Sequence, residues 1–320
     1  MIQVSEKQVS SVLTANKTLE AIREAYKDNA NGQIYMPDRM YMDIRGKKNM
    51  GQWLIANDLK KPYFGAKFSA VFPNNRSKNL PVTNSQISLY SANDGQLLAL
   101  IDANYLTAIK TGGSAAVATD LLANKDANTL AVIGSGFQAY AQVKMIQHVR
   151  HLNKVIVFDL SKDHYKKFKK QIEDAQEYPY DIVYSSSADE AIASADIICT
   201  CTPSHTPVFH GQKLKDGAHI NAIGSFTPEM QEIDTTTVQR ASKVFTEHVD
   251  GLWKAAGDIL IPYQNHDINK AKVNGSIGDI LVGQKTARLN DDEITLYESV
   301  GSGVLDIALG ILVYESLTHK

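Results

Sequence analysis

The stretch TLAVIGSGFQAYAQVKMI, residues 129–146, decides how this chain is read. TLAVI is a compact apolar run of strand length. From Ala139 onward, apolar residues recur at Val143, Ile146 and Val149, a helical spacing. Between the two stands Gly134-x-Gly136-x-x-Ala139. The first glycine permits a tight turn, the second lets backbone approach a pyrophosphate, and the small third residue lets helix and strand pack closely. A second strand, KVIVFD at 154–159, ends on Asp159. A carboxylate there can accept hydrogen bonds from the adenosine ribose hydroxyls and would repel a 2′-phosphate. NAD(H) is therefore expected over NADP(H), with Lys162 a small counterweight.

Further along, strand and helix keep alternating. A Lys-rich helix follows, then DIVYSSS (181–187) and a helix opened by the capping box Ser187…Glu190. ADIICTCT (195–202) and AHINAIG (218–224) are strand-like. This rhythm predicts an α/β domain over 116–295, a Rossmann doubly wound parallel sheet with crossover helices. Residues 1–115 read differently, as an α+β unit on an antiparallel or mixed sheet. Ser5 to Gln8 form a capping box, LEAIREAY (19–26) is amphipathic, and β-like runs begin at Ile34 and include Tyr63–Phe72. In QISLYSANDGQLLALID (86–102) two alternating runs flank Asp94-Gly95, a hairpin signal. In LTAIKTGGSAAVAT (106–119) the paired glycines read as lying ahead of a helix start, where N–H groups and the helix dipole would face an anion beside Lys110. The stronger loop at Gly134 makes a second phosphate cradle there unnecessary. The final segment, 296–320, reads as one helix with a broad apolar face that packs back on the first domain.

The totals fit a soluble globular protein of one large or two ordinary domains: 320 residues, 43% hydrophobic and 21% charged. A net charge of −2 offers no electrostatic case for nucleic acid or an anionic membrane. The apolar runs are too short to span a bilayer, and MIQVSEKQVSSVL lacks the features of a signal peptide. The two cysteines, Cys199 and Cys201, are a poor start for a disulfide or a zinc site, and a reducing cytoplasm fits best. His205, His210 and His219 lie near Cys201, but their spacing matches no structural zinc pattern, so no metal is expected. KDHYKKFKK (162–170) reads as the solvated face of a helix with Phe168 and Ile172 inward. No G-x-S-x-G elbow occurs.

With these residues in hand, the chain resembles the ornithine cyclodeaminase/mu-crystallin family nearly end to end. The matching blocks are MPDR (36–39), GAKFSAVFPNN (65–75), DGQLLALIDANYLTAIKTGGSAA (94–116), GSGFQA, CTPSHTPV (201–208), INAIGS (220–225) and DDEITLYESVGSGVLDIA (291–308). The resemblance implies a homodimer and nicotinamide chemistry on a small 2-amino or 2-imino acid. It also implies that the first domain binds substrate and dimerises. Arg39 and Lys67 match residues that hold the substrate carboxylate and flank the reacting carbon, with Lys67 as catalytic proton shuttle. A guanidinium grips a carboxylate bidentately, and an amine in a closed pocket can lose its proton near neutrality. Lys110 stands where relatives usually carry arginine, at the domain junction near cofactor and substrate; lysine keeps the charge but loses the planar fork. Thr111, Gly134, Gly136, Phe137, Gln138, Asp159, Thr200, Thr202, Gly224, Ser225 and Ser299 match cofactor contacts, the choice between Thr200 and Thr202 depending on strand phase.

One departure separates two chemistries. Cyclodeaminases carry an acid just after the INAIGS-like turn and a lysine four residues on, where this chain has Phe226 and Met230. Neither can move a proton. An NAD-dependent amino-acid dehydrogenase or imine/ketimine reductase is thus expected, ahead of an ammonia lyase using bound NAD or a crystallin-like binding protein. Phe226 is either a wall of the side-chain pocket or a core aromatic.

Overall fold

The computed structural model describes residues 1–46, 49–78, 80–175 and 180–318. The chain divides into two compact units, 1–110 with 302–320, and 111–301.

In the first unit the described residues form a seven-stranded mixed sheet. Its order is Ile2–Val4, Leu97–Asp102, Thr83–Ser91, Tyr63–Val71, Asn49–Asp58 and Ile34–Tyr35, with Met40–Ile44 also paired to Asn49–Asp58. Every pairing is antiparallel except the first, where Ile2–Val4 runs parallel to Leu97–Asp102. The 86–102 hairpin turns at Asp94-Gly95 as expected, and the capping box at Ser5 and Gln8 opens the helix Glu6–Val12. Along Tyr63–Val71 the burial alternates, so Tyr63, Gly65, Lys67 and Ser69 point inward while Phe64, Ala66 and Phe68 face the other way. The inward face is covered by the helix Gly303–Thr318, which also packs on the helix Ala15–Ala30.

In the second unit the described residues form an eight-stranded, wholly parallel sheet. Its order is Asp181–Tyr184, Lys154–Phe158, Thr129–Ile133, Ile197–Thr200, His219–Ala222, Thr295–Glu298, Lys243–Thr246 and Gly275–Ser276. Helices connect successive strands, as a parallel sheet requires. The register levels Ile133, Thr200, Ala222, Glu298 and Thr246 at the carboxyl edge. In open α/β sheets that edge is where ligands bind. The helix Lys162–Ala175 buries Phe168 and Ile172, as expected.

Three expectations need correction. The C-terminal segment is not one helix from 296: Thr295–Glu298 is a central strand, and the helix begins at Gly303 after Gly301 turns the chain at φ 82°. A strand buried on both faces reads as an apolar run, which cannot be told from a buried helix by pattern alone. Residues 319–320 of that expected helix lie outside the described residues. Nor does a helix start at Gly112: one helix, Asn104–Leu122, runs through both glycines. A side chain at Gly112 would collide with the backbone carbonyl of Ala141, so glycine there serves close helix contact instead of anion binding. At Ser187 only half of the capping box forms. The Ser187 hydroxyl accepts from Glu190 N, while the Glu190 carboxylate turns to Ser185 and Ser186.

Candidate active site

In the first unit the strand phase that buries Lys67 brings it to a second lysine. Lys67 Nζ donates to Asp306 Oδ1 at 2.8 Å, and Lys110 Nζ lies 2.9 Å from the same oxygen. All three side chains are almost completely buried. Burial drives the Lys67 ammonium down, Asp306 pulls it up, and Lys110 pushes it down again, leaving its pKa at about 8. Burial alone would raise the Asp306 carboxyl, but Lys110 and Lys67 outweigh it and hold it below the usual carboxylate range. Two cations against one carboxylate leave this buried cluster with a positive charge, complementary to an anionic substrate group. The next inward rung carries Ser69 and Ser85, whose hydroxyls meet at 2.7 Å. Arg39 lies just ahead of the Met40–Ile44 strand, half-buried, with its guanidinium against Tyr41.

In the second unit Gly134 follows Thr129–Ile133 directly, with φ 89°, and a Cβ there would meet Thr202 Cγ2 at 2.7 Å. Nothing crowds Gly136, which is exposed, as is Phe137. The Oε1 of Gln138 is buried without a hydrogen bond. Asp159 is tied to this loop: its Oδ2 accepts from Ser135 N and Oγ, both at 2.7 Å, and its Oδ1 from Ser161 N. Burial raises the Asp159 carboxyl, but the donors from Ser135 and Ser161, with His164 nearby, outweigh it and keep it ionised. The open glycine turn, the ionised carboxylate and the unspent Gln138 oxygen fit a dinucleotide.

The sheet edge beyond the loop holds acids that sequence reasoning did not assign. Glu232 accepts from Thr200 Oγ1 at 2.8 Å, Thr202 N at 2.5 Å and Gly224 N at 2.6 Å. Thr200 and Ser225 are fully buried, Ser225 donating to Met230 O, and Ser299 donates to Glu247. Thr200, Thr202, Gly224, Ser225 and Ser299 thus each have an internal partner. Asp258 Oδ1 accepts from Glu232 N and Ile233 N, and neither Glu298 oxygen has a partner. Burial, then the neighbouring Glu232, pushes the Asp258 carboxyl to about 8, and burial among Asp258, Glu232 and Glu247 pushes Glu298 far up. Met230 is buried and Phe226 half-buried. Thr111 belongs to this unit, next to Lys110 on the same helix.

The histidines near Cys201 have separate partners: His205 with Glu229 O, His210 with Asp189, and buried His219 with Thr295 and Asn221. Asp306 was missed although a signal existed: it is the one charged residue in GVLDIALGILV.

With the geometry set out, comparison with known proteins becomes informative. The profile of the ornithine cyclodeaminase/mu-crystallin family matches residues 1–320. The chain belongs to that family. Among its members, a Delta(1)-pyrroline-2-carboxylate reductase of Bacillus cereus is 32% identical over 322 residues, covering 100% of this chain and 98% of the relative. A Thermococcus litoralis Delta(1)-pyrroline-2-carboxylate reductase, solved with NADH and L-proline, superposes with a TM-score of 0.96 at 28% identity, covering 100% and 98% of the two chains. An archaeal alanine dehydrogenase dimer with bound NAD gives 0.92 at 29% identity, covering 100% and 96%.

Proposed function

We propose that the protein is an NAD(H)-dependent oxidoreductase acting on the C–N bond of a small 2-amino or 2-imino acid. The substrate class best supported is a cyclic 2-imino acid of the pyrroline-2-carboxylate kind, after which two of the three relatives named above are called reductases. The observation that carries this reading is the buried Lys67–Asp306–Lys110 cluster, in a chain that also bears an open dinucleotide loop.

The residues divide the work. Gly134, Gly136, Phe137 and Gln138 hold the pyrophosphate half of the cofactor, and Asp159 takes the ribose hydroxyls while bracing the loop through Ser135. When bound, NADH supplies the hydride that reduces the imine carbon. Arg39 and Lys110 hold the substrate carboxylate by charge-assisted hydrogen bonds. Lys67 gives a proton to the substrate nitrogen, for which a pKa near 8 suits an acid working around neutrality. In the reverse direction it takes that proton back. Phe226 and Met230 offer no group for ammonia loss, so net NADH consumption is expected where a lyase would recycle its cofactor.

We also infer a homodimer in the cytoplasm. On the strand Met40–Ile44, Met40 and Met42 are exposed on one face and Tyr41 on the other, apolar side chains that a second copy would cover. Among the described residues no helix is long and apolar enough to cross a membrane, and both cysteines are free thiols. The test is an NADH-oxidation screen with pyrroline-2-carboxylate, pyruvate plus ammonia, and iminosuccinate, with ornithine plus NAD as the lyase control. Stoichiometric oxidation with an imino acid supports the reading; ammonia release from ornithine without net NADH change refutes it.

A further inference from the structure

Asp306 places two ammonium groups on one oxygen and leaves the other bare. Its Oδ1 takes Lys67 at 2.8 Å and Lys110 at 2.9 Å, while Oδ2 is buried without a hydrogen bond. A carboxylate kept only to pin a helix to a sheet would have both oxygens satisfied, because an unpaired buried acceptor costs stability. The helix Gly303–Thr318 that carries Asp306 also buries Val304, Leu305, Ile307, Leu309 and Ile311. Opposite Lys67 in the sheet are Leu54 and Ile87. The remaining titratable groups on these elements, Asp58, Tyr63, Tyr90, Tyr314 and Glu315, gather toward the Tyr63 end: Asp58 pairs with Tyr63, Tyr90 with Phe64, and Tyr314 meets the Tyr63 ring. The charges that act on Lys67 are Asp306 and Lys110.

Resting on the function proposed above, we infer that Asp306 is a positioning residue for the reaction. It holds Lys67 and Lys110 as a fixed pair and sets the protonation of Lys67, so that Lys67 is the lysine that surrenders a proton. In the reductive direction an Nζ–H bond of Lys67 breaks and an N–H bond forms on the substrate nitrogen. The neutral amine keeps its place as a donor to Asp306 through its remaining hydrogens, and a proton from solvent recharges it. Lys110 stays beside the same carboxylate and serves the substrate's anionic group.

The experiment follows Lys67 directly, by NMR titration of the full-length protein labelled with 13C at lysine Cε, the Lys67 signal being assigned by its loss in Lys67→Arg. Asp306→Asn removes the supporting charge and should move the Lys67 midpoint down by at least about one pH unit. Lys110→Met removes the opposing charge and should move it up. Asp306→Glu, which keeps the charge, should leave the midpoint near that of the parent. The alkaline limb of kcat for imine reduction should move with the midpoint. If Asp306→Asn does not fold, an unmoved midpoint in Lys110→Met alone overturns the inference. An unmoved midpoint in the folded Asn and Met variants overturns the inference even if imines are reduced. Midpoints that move in a protein that reduces no imine overturn the proposed function and leave the electrostatic role of Asp306 standing.

Discussion

Replacing Lys67 with methionine should abolish turnover and make the protein more stable at neutral pH. The magnitude follows from the pKa. A lysine at about 8 in the fold, against 10.5 in the open chain, is held in its charged form at a cost of 2.5 units, on the order of 3 kcal/mol. Below pH 8 both folded and unfolded states carry the proton and the whole penalty applies. Between 8 and 10.5 the unfolded state binds more protons, so the parent's stability rises with pH. At pH 9.5 the residual penalty is therefore only ~1 kcal/mol. Methionine keeps the length and apolar stem of the side chain, and Asp306 retains Lys110 at 2.9 Å, so no buried charge is stranded. The assay is urea denaturation at pH 7 and 9.5, read by the fluorescence of Trp53 in the same sheet, with Trp253→Phe in both proteins. A variant less stable than its parent at pH 7 would refute the reasoning. So would a gain that is as large at pH 9.5 as at 7. The expected exchange of stability for activity is common at active sites.

Asp159→Ala should loosen the glycine loop by removing the acceptor for Ser135 and Ser161, weakening NADH at least ~10-fold in a fluorescence titration and shifting preference toward NADPH. Gly112→Ala drives a methyl group into the Ala141 carbonyl. Overpacking by about 1–3 kcal/mol should exceed the ~1 kcal/mol gained in helix propensity, and the thermal midpoint should fall; a rise would show that the two helices separate freely. Glu232→Gln turns an amide N–H₂ toward Thr202 N or Gly224 N, which need an acceptor. The loss, about 1–3 kcal/mol, should appear in urea titrations read by Trp253 with Trp53→Phe, and NADH affinity should fall with it.

Where local pattern suffices, the fold was legible. The strand, glycine turn and helix at 129–146, the Asp94-Gly95 hairpin and the capping box at Ser5 all follow from neighbours within one or two turns of chain. Illegible features depend on residues far away. Gly112 looked like a helix start because nothing in the sequence reveals that Ala141 packs against it. Thr295–Glu298 looked helical because both its faces are buried. The glycine loop was singled out by its motif, and Lys67 and Arg39 by the family resemblance. Asp306 was passed over because its meaning lies in partners 239 and 196 positions back along the chain. The acids at the sheet edge escaped for the same reason: Glu232, Asp258 and Glu298 come from three separate segments and acquire their character only from shared burial.

Those edge acids also alter how the molecule behaves in an electric field. The sequence holds 35 acidic and 33 basic side chains, which gives a formal charge of −2 and an isoelectric point near 6.5. Burial raises the Glu298, Glu232 and Asp258 carboxyls, Asp258 to about 8, so the native charge at pH 7 is less negative than the formal count. Native isoelectric focusing should place the band above its position in urea, where these carboxyls ionise normally. Colloidal repulsion between molecules is weakest at that native isoelectric point. The folded protein is therefore expected to be least soluble above the isoelectric point of about 6.5 that its composition gives, and to be handled best well away from it.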